Sequence, residues 1–107
     1  GLAGSQWRIV EIEGQTARHE ETAEFTADKI SGKAACNRYF GGATLDGTKL
    51  RIGAIGATRM FCADRMEAEQ RLFAALGKVA QVAREDAGQR LRLIDAEGRV
   101  LVLLAPK

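Results

Sequence analysis

At 107 residues, with 46% hydrophobic and 28% charged residues, the chain has the size of one domain, residues 1–107, built on one core. Sixteen basic residues against fourteen acidic ones leave a net charge of +2, too balanced for the one-signed field that nucleic-acid binding needs. The longest apolar run, "VLVLLA", is far short of a membrane span, and no phosphate-loop or dinucleotide motif occurs.

The opening "GLAGSQW" has no initiator Met, basic n-region or apolar h-region, which fits a mature or trimmed domain and leaves the compartment open. "QWRIVEIEG" then carries Trp7 and Ile9 in one phase of a strand and Val10 and Ile12 in the other. That slip predicts a bulge near Ile9–Val10, or a strand covered on both faces. "TAEFTA" alternates, with Ala23 and Phe25 inward, and Asp28-Lys29 turns the chain into "ISGKA". "ATL" and "LRI" flank "DGTK"; a two-residue turn at Asp46-Gly47 would set Ala43 opposite Leu50.

At "ADRMEAEQRLFAALGK" the period changes to that of a helix. Asp64 and Glu67 read as a capping box, Met66, Leu72, Phe73 and Leu76 as the apolar stripe, and Gly77-Lys78 as the stop. Strands return in "VAQVARE", "RLRLID" and "RVLVLLA", linked by the polar turns "DAGQ" and "AEG", with Pro106 at a strand end. The non-alternating "VLVLLA" predicts a central strand covered on both faces. The fold class is therefore mainly β: a barrel-like, antiparallel arrangement of about eight short strands with one α-helix near 65–76. Trp7, Phe25, Ile30, Leu50, Phe73, Leu76 and Leu101 are its expected core.

The chemistry is sparse. A cysteine nucleophile needs a base, and the one histidine, His19, lies in the polar loop "QTARHEET". A structural zinc site needs about four Cys or His ligands, more than this chain has, so no metal and no cofactor is expected. Cys36 and Cys62 are an even pair: either a cross-link or two buried free thiols. A bond between them would close a loop worth about 3–4 kcal/mol in the chain-entropy model, and the cross-link is the favoured reading. Glu69 falls on the helix stripe, three, four and seven residues before Leu72, Phe73 and Leu76. A carboxylate there must be paired or hydrogen-bonded, with Arg38, Arg59 or the backbone of the cysteine segments as candidate partners. It is either a general acid with a raised pKa or a satisfied buried tie, and the tie is favoured. Asn37 suits a turn, and Arg38, Tyr39 and Arg59 form a possible ligand surface, with core packing the favoured reading for Tyr39 and Phe40.

These residues carry a family resemblance. Trp7 opens the first strand. "ISGKAACNRYFGG" is close to S-G-x-A/G-G-C-N-x-F/Y-x-G, "IGATRMFC" to I-x-x-T-x-M-x-C, and Glu69 with Phe73 and Leu76 to the family's E-x-x-[F/L]. In that order and spacing the chain resembles the META/HslJ domain family over nearly its whole length. One departure is Ala35, where the family has glycine. The resemblance implies a small barrel-like fold, the Cys36–Cys62 disulfide, and structural roles for Trp7, Gly32, Asn37, Gly41, Thr58 and Glu69.

It also implies an exported protein, periplasmic or outer-membrane-associated, linked to heat shock. Such proteins are often anchored through a lipidated N-terminus, which this chain does not contain. The expected function is non-enzymatic: a stress-linked binding or protective module, monomeric, whose partner is an envelope protein, a peptide or an apolar ligand. The alternative is a small hydrolase using Glu69 with Asn37, Thr58 or Arg59. A dry contact of Glu69 with backbone favours the first; an open polar pocket around it favours the second.

Overall fold

The phase slip in the first strand is a bulge. In the computed structural model, which describes residues 1–85 and 87–107, β1 (Gln6–Ile12) buries Trp7, Ile9 and Ile12. Its pairing with the last strand slips between Ile9 and Glu11, so both apolar phases face inward. The two-residue β2 (Gln15–Thr16) folds back on β1. Next, β3 (Thr22–Phe25) buries Ala23 and Phe25 as its alternation predicts, and β4 (Lys29–Lys33) pairs with it.

The long β5 (Arg38–Asp46) and β6 (Lys49–Ile52) form the hairpin, but its turn lies one residue later than expected. Asp46 pairs with Lys49 across Gly47-Thr48, so Ala43 faces Ile52 and Leu50 faces Leu45. Gly47 takes the left-handed φ of 63° that such a turn needs. The register differs by two residues, a full pleat, so every side chain keeps its predicted face. The short β7 (Gly56–Ala57) pairs with Tyr39 and Phe40 on the edge of β5 opposite β4, the edge that β6 uses further along.

The helix α1 (Met66–Gly77) packs against β1 and the last strand and buries Glu69, Leu72, Ala75 and Leu76. Its start is not the expected capping box. Asp64 has φ of 66°, whereas a capping residue is extended, and Arg65 precedes the helix with no side-chain cap. A tertiary tie replaces the local one: Arg65 N–H donates to the Cys62 carbonyl at 3.2 Å and its guanidinium to the Ala35 carbonyl at 3.2 Å. At the other end Lys78 and Val79 donate to the Ala75 and Leu76 carbonyls, a tightened last turn rather than a left-handed glycine cap. Phe73 is only half-buried, with its ring 5.9 Å from that of Tyr39.

Finally, β8 (Gln81–Glu85), β9 (Arg90–Ile94) and β10 (Val100–Pro106) run antiparallel. The predicted "DAGQ" turn starts at Asp86, which lies outside the described residues; Gly88 within it has φ of 89°. A second bulge near Leu101 buries Leu101 and Val102 together, which is why "VLVLLA" does not alternate. Among the described residues ten strands make one sheet. With β2 and β7 as appendages, the remaining eight close into a ring, β1 meeting β10. The weakest seam joins β6 to β8 through the single pair Lys49–Gln81. Beyond it the strands part around a cleft of about 890 Å³ reaching Ile52, Gly77 and Val79.

Gly32 sits opposite Tyr39 on neighbouring strands, and the Tyr39 hydroxyl crosses β4 to donate to the Thr22 carbonyl at 2.7 Å. A Cβ on Gly32 would run into that same carbonyl, whereas one on Gly42 would meet open space. Gly32→Ala is therefore expected to destabilise the fold by about 1–3 kcal/mol, as overpacking does, while Gly42→Ala changes stability little. Urea unfolding of the two variants beside the parent checks this; equal midpoints would remove the steric role given to Gly32.

Candidate functional site

Cys36 and Cys62 are disulfide-bonded, with Cα atoms 5.8 Å apart. The bond joins the turn between β4 and β5 to the segment that leads into α1, 26 residues further on. Beside it, the first turn of α1 turns Glu69 inward, 2% exposed. One carboxylate oxygen accepts the backbone N–H groups of Cys36 at 2.9 Å and Asn37 at 2.6 Å. The other accepts the Asn37 side-chain amide at 2.8 Å. The partners are thus the cysteine-segment backbone and Asn37; Arg38 and Arg59 are exposed and not bonded to it.

Asn37 passes the tie on. Its Nδ2 also donates to the Met60 carbonyl at 3.0 Å, and its Oδ1 accepts the Met60 N–H at 2.7 Å and the Thr58 hydroxyl at 2.8 Å. All four hydrogen-bonding positions of the amide are used, and a flipped amide would set oxygen against carboxylate and carbonyl. Thr58 Oγ1 in turn accepts the Arg38 N–H at 3.2 Å. The turn at residues 36–38 is thereby fixed to two stretches much later in the chain, around 58–62 and 65–69.

The electrostatics follow from that geometry. Burial pushes the Glu69 carboxyl up, but the side-chain and backbone hydrogen bonds from Asn37, the Cys36 N–H and the charge of Lys33 outweigh it, so its pKa lies below the ordinary value. A general acid at neutral pH needs the opposite shift. Burial likewise opposes ionisation of Asp95, yet the Arg99 N–H and guanidinium and the Glu97 N–H hold its pKa down. That brace closes the "AEG" turn; an Asp ahead of Ala-Glu-Gly is the turn signal that sequence reading left unused.

The other predicted residues divide clearly. Trp7 is buried, its indole N–H donating to Ser5 Oγ at 2.7 Å and its ring 5.8 Å from the Arg84 guanidinium. Gly41 lies where a Cβ would press on Ile55 and the Ala54 carbonyl. Tyr39 is a correction: it is 1% exposed, desolvation holds its phenol well above the usual range, and it belongs to the core rather than to a ligand surface. Arg38 and Arg59 are exposed, as a ligand surface requires. Ala35 keeps a negative φ, so replacing the family's glycine introduces no strain. Sequence reading missed Met60, whose backbone is held from both sides by Asn37, and the exposed Phe61 beside it. Among the described residues no group of three or more His, Cys, Asp or Glu is placed to hold a metal ion.

An antiparallel ring entered by one helix, with a buried Glu–Asn tie beside a disulfide, defines a small class of β domain. The family model "META domain" matches residues 1–107, and the chain belongs to that family. No curated protein matches it. A protein from Burkholderia xenovorans, solved by NMR, is similar in structure with a TM-score of 0.78 at 24% identity, covering 99% of this chain and 83% of that one. A second NMR structure gives a TM-score of 0.74 at 23% identity, covering 97% and 90%. At these identities the likeness is one of fold.

Glu69→Ala leaves three buried donors unpaired at about 1–3 kcal/mol each, offset where water enters. Glu69→Gln keeps an acceptor for the two backbone N–H groups but turns an amide N–H against Asn37, so its cost falls between parent and alanine. Because the folded pKa of Glu69 is depressed, its contribution is present above about pH 4.5, the ordinary glutamate value, and is lost as pH falls through the folded pKa. Urea midpoints from pH 7 down to pH 3 are expected to drop more steeply for the parent than for Glu69→Gln, with Asp95 contributing to both. Parallel profiles would show Glu69 to be incidental to acid stability.

Proposed function

We propose that this domain works by binding rather than by turnover, as a module of an oxidising compartment of the cell envelope, in keeping with the stress-linked role that its resemblance implies. The observation that carries the reading is the burial of Glu69 with both carboxylate oxygens hydrogen-bonded to the protein. A general base or nucleophile needs a free lone pair facing a substrate. Here three donors occupy the carboxylate, Asn37 has no spare hydrogen-bonding position, and the disulfide removes both thiols. The cleft of about 890 Å³ at the β6–β8 seam is lined by neither Glu69 nor Asn37. A disulfide at the centre of the brace supports the compartment, since such bonds persist where thiols are not kept reduced.

The brace has a consequence on its outer side. It ties down the Met60 backbone between exposed Arg59 and Phe61, and a pre-ordered backbone loses less entropy on binding. That surface, not the carboxylate, is the recognition element in this reading.

A turnover screen tests it: parent and Glu69→Gln side by side on ester, peptide and glycoside substrates, at matched folded fraction by circular dichroism. No turnover above buffer is expected from either. Reproducible turnover that disappears in Glu69→Gln would replace the binding reading with the hydrolase reading.

A further inference from the structure

The basic residues are not spread as evenly over the surface as along the chain. Arg8 on β1 pairs in register with Thr22 on β3, and the Lys33 N–H at the end of β4 donates to Thr22 Oγ1 at 3.0 Å. Lys33 itself pairs with Arg38 on β5. Inward neighbours Trp7, Ala23, Gly32 and Tyr39 occupy the opposite face, so alternation sends Arg8, Thr22, Lys33 and Arg38 outward in one row across four strands. The row lines a shallow cleft of about 460 Å³ with Lys107 and a single carboxylate, Glu20. Among the described residues the ion pairs involve Glu85, Arg92, Asp95, Glu97 and Arg99 and none of these four cations. The Lys33 ammonium meets only carbonyls, those of His19 at 3.0 Å and Ala34 at 3.4 Å. Glu20 in the cleft, Glu24 in the neighbouring row and the buried Glu69 near Lys33 offset part of this charge, and the face keeps an excess of cations.

Apolar exposure gathers beside it. Among the described residues five large hydrophobic residues stand exposed, Phe40, Leu45, Met60, Phe61 and Val100; Phe40 borders the row, and Met60 and Phe61 follow the Thr58 that bonds to Arg38. Phe40 lies two residues beyond Arg38 on the same face of β5, opposite Gly56. Met60 and Phe61, 57% and 81% exposed, follow Arg59 in the segment bonded to Asn37 and Arg38. With both Met60 backbone groups and Cys62 tied down, these side chains are held in water by a rigid loop.

We propose that this face, the Arg8–Lys33–Arg38 row with Arg59, Phe40, Met60 and Phe61, docks the domain on an anionic phospholipid bilayer. Cations in the headgroup layer with aromatic and thioether side chains at the acyl boundary are what such an interface rewards. Charge complementarity selects an anionic partner. The single-residue prominence of Phe61 suits a deformable surface better than a rigid protein groove. The inference rests on the binding reading and names its partner.

The test is co-sedimentation of the disulfide-intact chain with vesicles of phosphatidylcholine alone or mixed with phosphatidylglycerol. Binding to the anionic vesicles only, falling as salt rises, is expected. Arg8→Ala and Arg38→Ala should each lower the partition coefficient about fivefold at low salt. Phe61→Ser should lower it several-fold at every salt concentration, because apolar insertion is not screened. All three side chains are exposed, and unchanged thermal midpoints exclude misfolding. Equal binding to both vesicle types, or none to either, overturns the proposal. So does full competition by millimolar inorganic phosphate, which would make the row a free-phosphate site, or by an acidic peptide, which would make the occupant a protein. Failure here without turnover in the substrate screen removes the bilayer and leaves the binding reading intact.

Discussion

One carboxylate holds the architecture of this domain together. Ionised Glu69 is removed from water, which is unfavourable, and it is kept ionised because two consecutive backbone N–H groups and an amide converge on it. Those donors belong to the turn between β4 and β5, while the acceptor belongs to α1. The tie therefore decides how the helix sits against the ring. Asn37 extends it to Met60 and Thr58, and the disulfide repeats the same connection covalently a few ångströms away. A network this closely satisfied is rigid, because each of its members loses a bond if any other moves.

That rigidity separates inside from outside. Glu69, Asn37 and Thr58 are bonded to one another and to backbone, while Arg38, Arg59, Phe40, Met60 and Phe61 stand exposed. The ring contributes the other half. Its strands set Arg8, Thr22, Lys33 and Arg38 side by side although they come from four separate segments of sequence. Its loosest join, between β6 and β8, lies away from the braced end, so the cleft there is free of the charged row.

Much of the fold was legible because the signals are local. Alternation in "TAEF" and "RLRL" reports which face is wet, and the slip in "WRIVEI" is the bulge itself, since an extra residue in a strand must reverse its phase. Glu69 stood out as a carboxylate on an apolar stripe, and its burial followed. Other readings failed for one shared reason. The helix stops at Gly77-Lys78 as read, but the capping box at Asp64, a sound local motif, gave way because the disulfide and the Arg65–Ala35 bond set the approach to the helix. Tyr39 was grouped with Arg38 as a possible ligand surface, but Gly32 lies directly across the pairing and its ring belongs to the core, the packing reading favoured for it. The hairpin turn moved by one residue because Gly47, not Asp46, takes the left-handed position at its start.

The amino-acid order by itself determined the mainly β class, the single helix, the two cysteines' partnership and the faces of nearly every strand. Each of these depends on residues near one another in the chain or on a choice with only one partner available. Only the tertiary structure decided which donors satisfy Glu69, that its pKa falls rather than rises, and that three scattered cations form a row with Thr22. Those outcomes depend on strand register and ring closure, which bring residues 8, 22, 33 and 38, or 36, 60 and 69, to within bonding distance or side by side. Sequence separation carries no information about such distances until the sheet has closed.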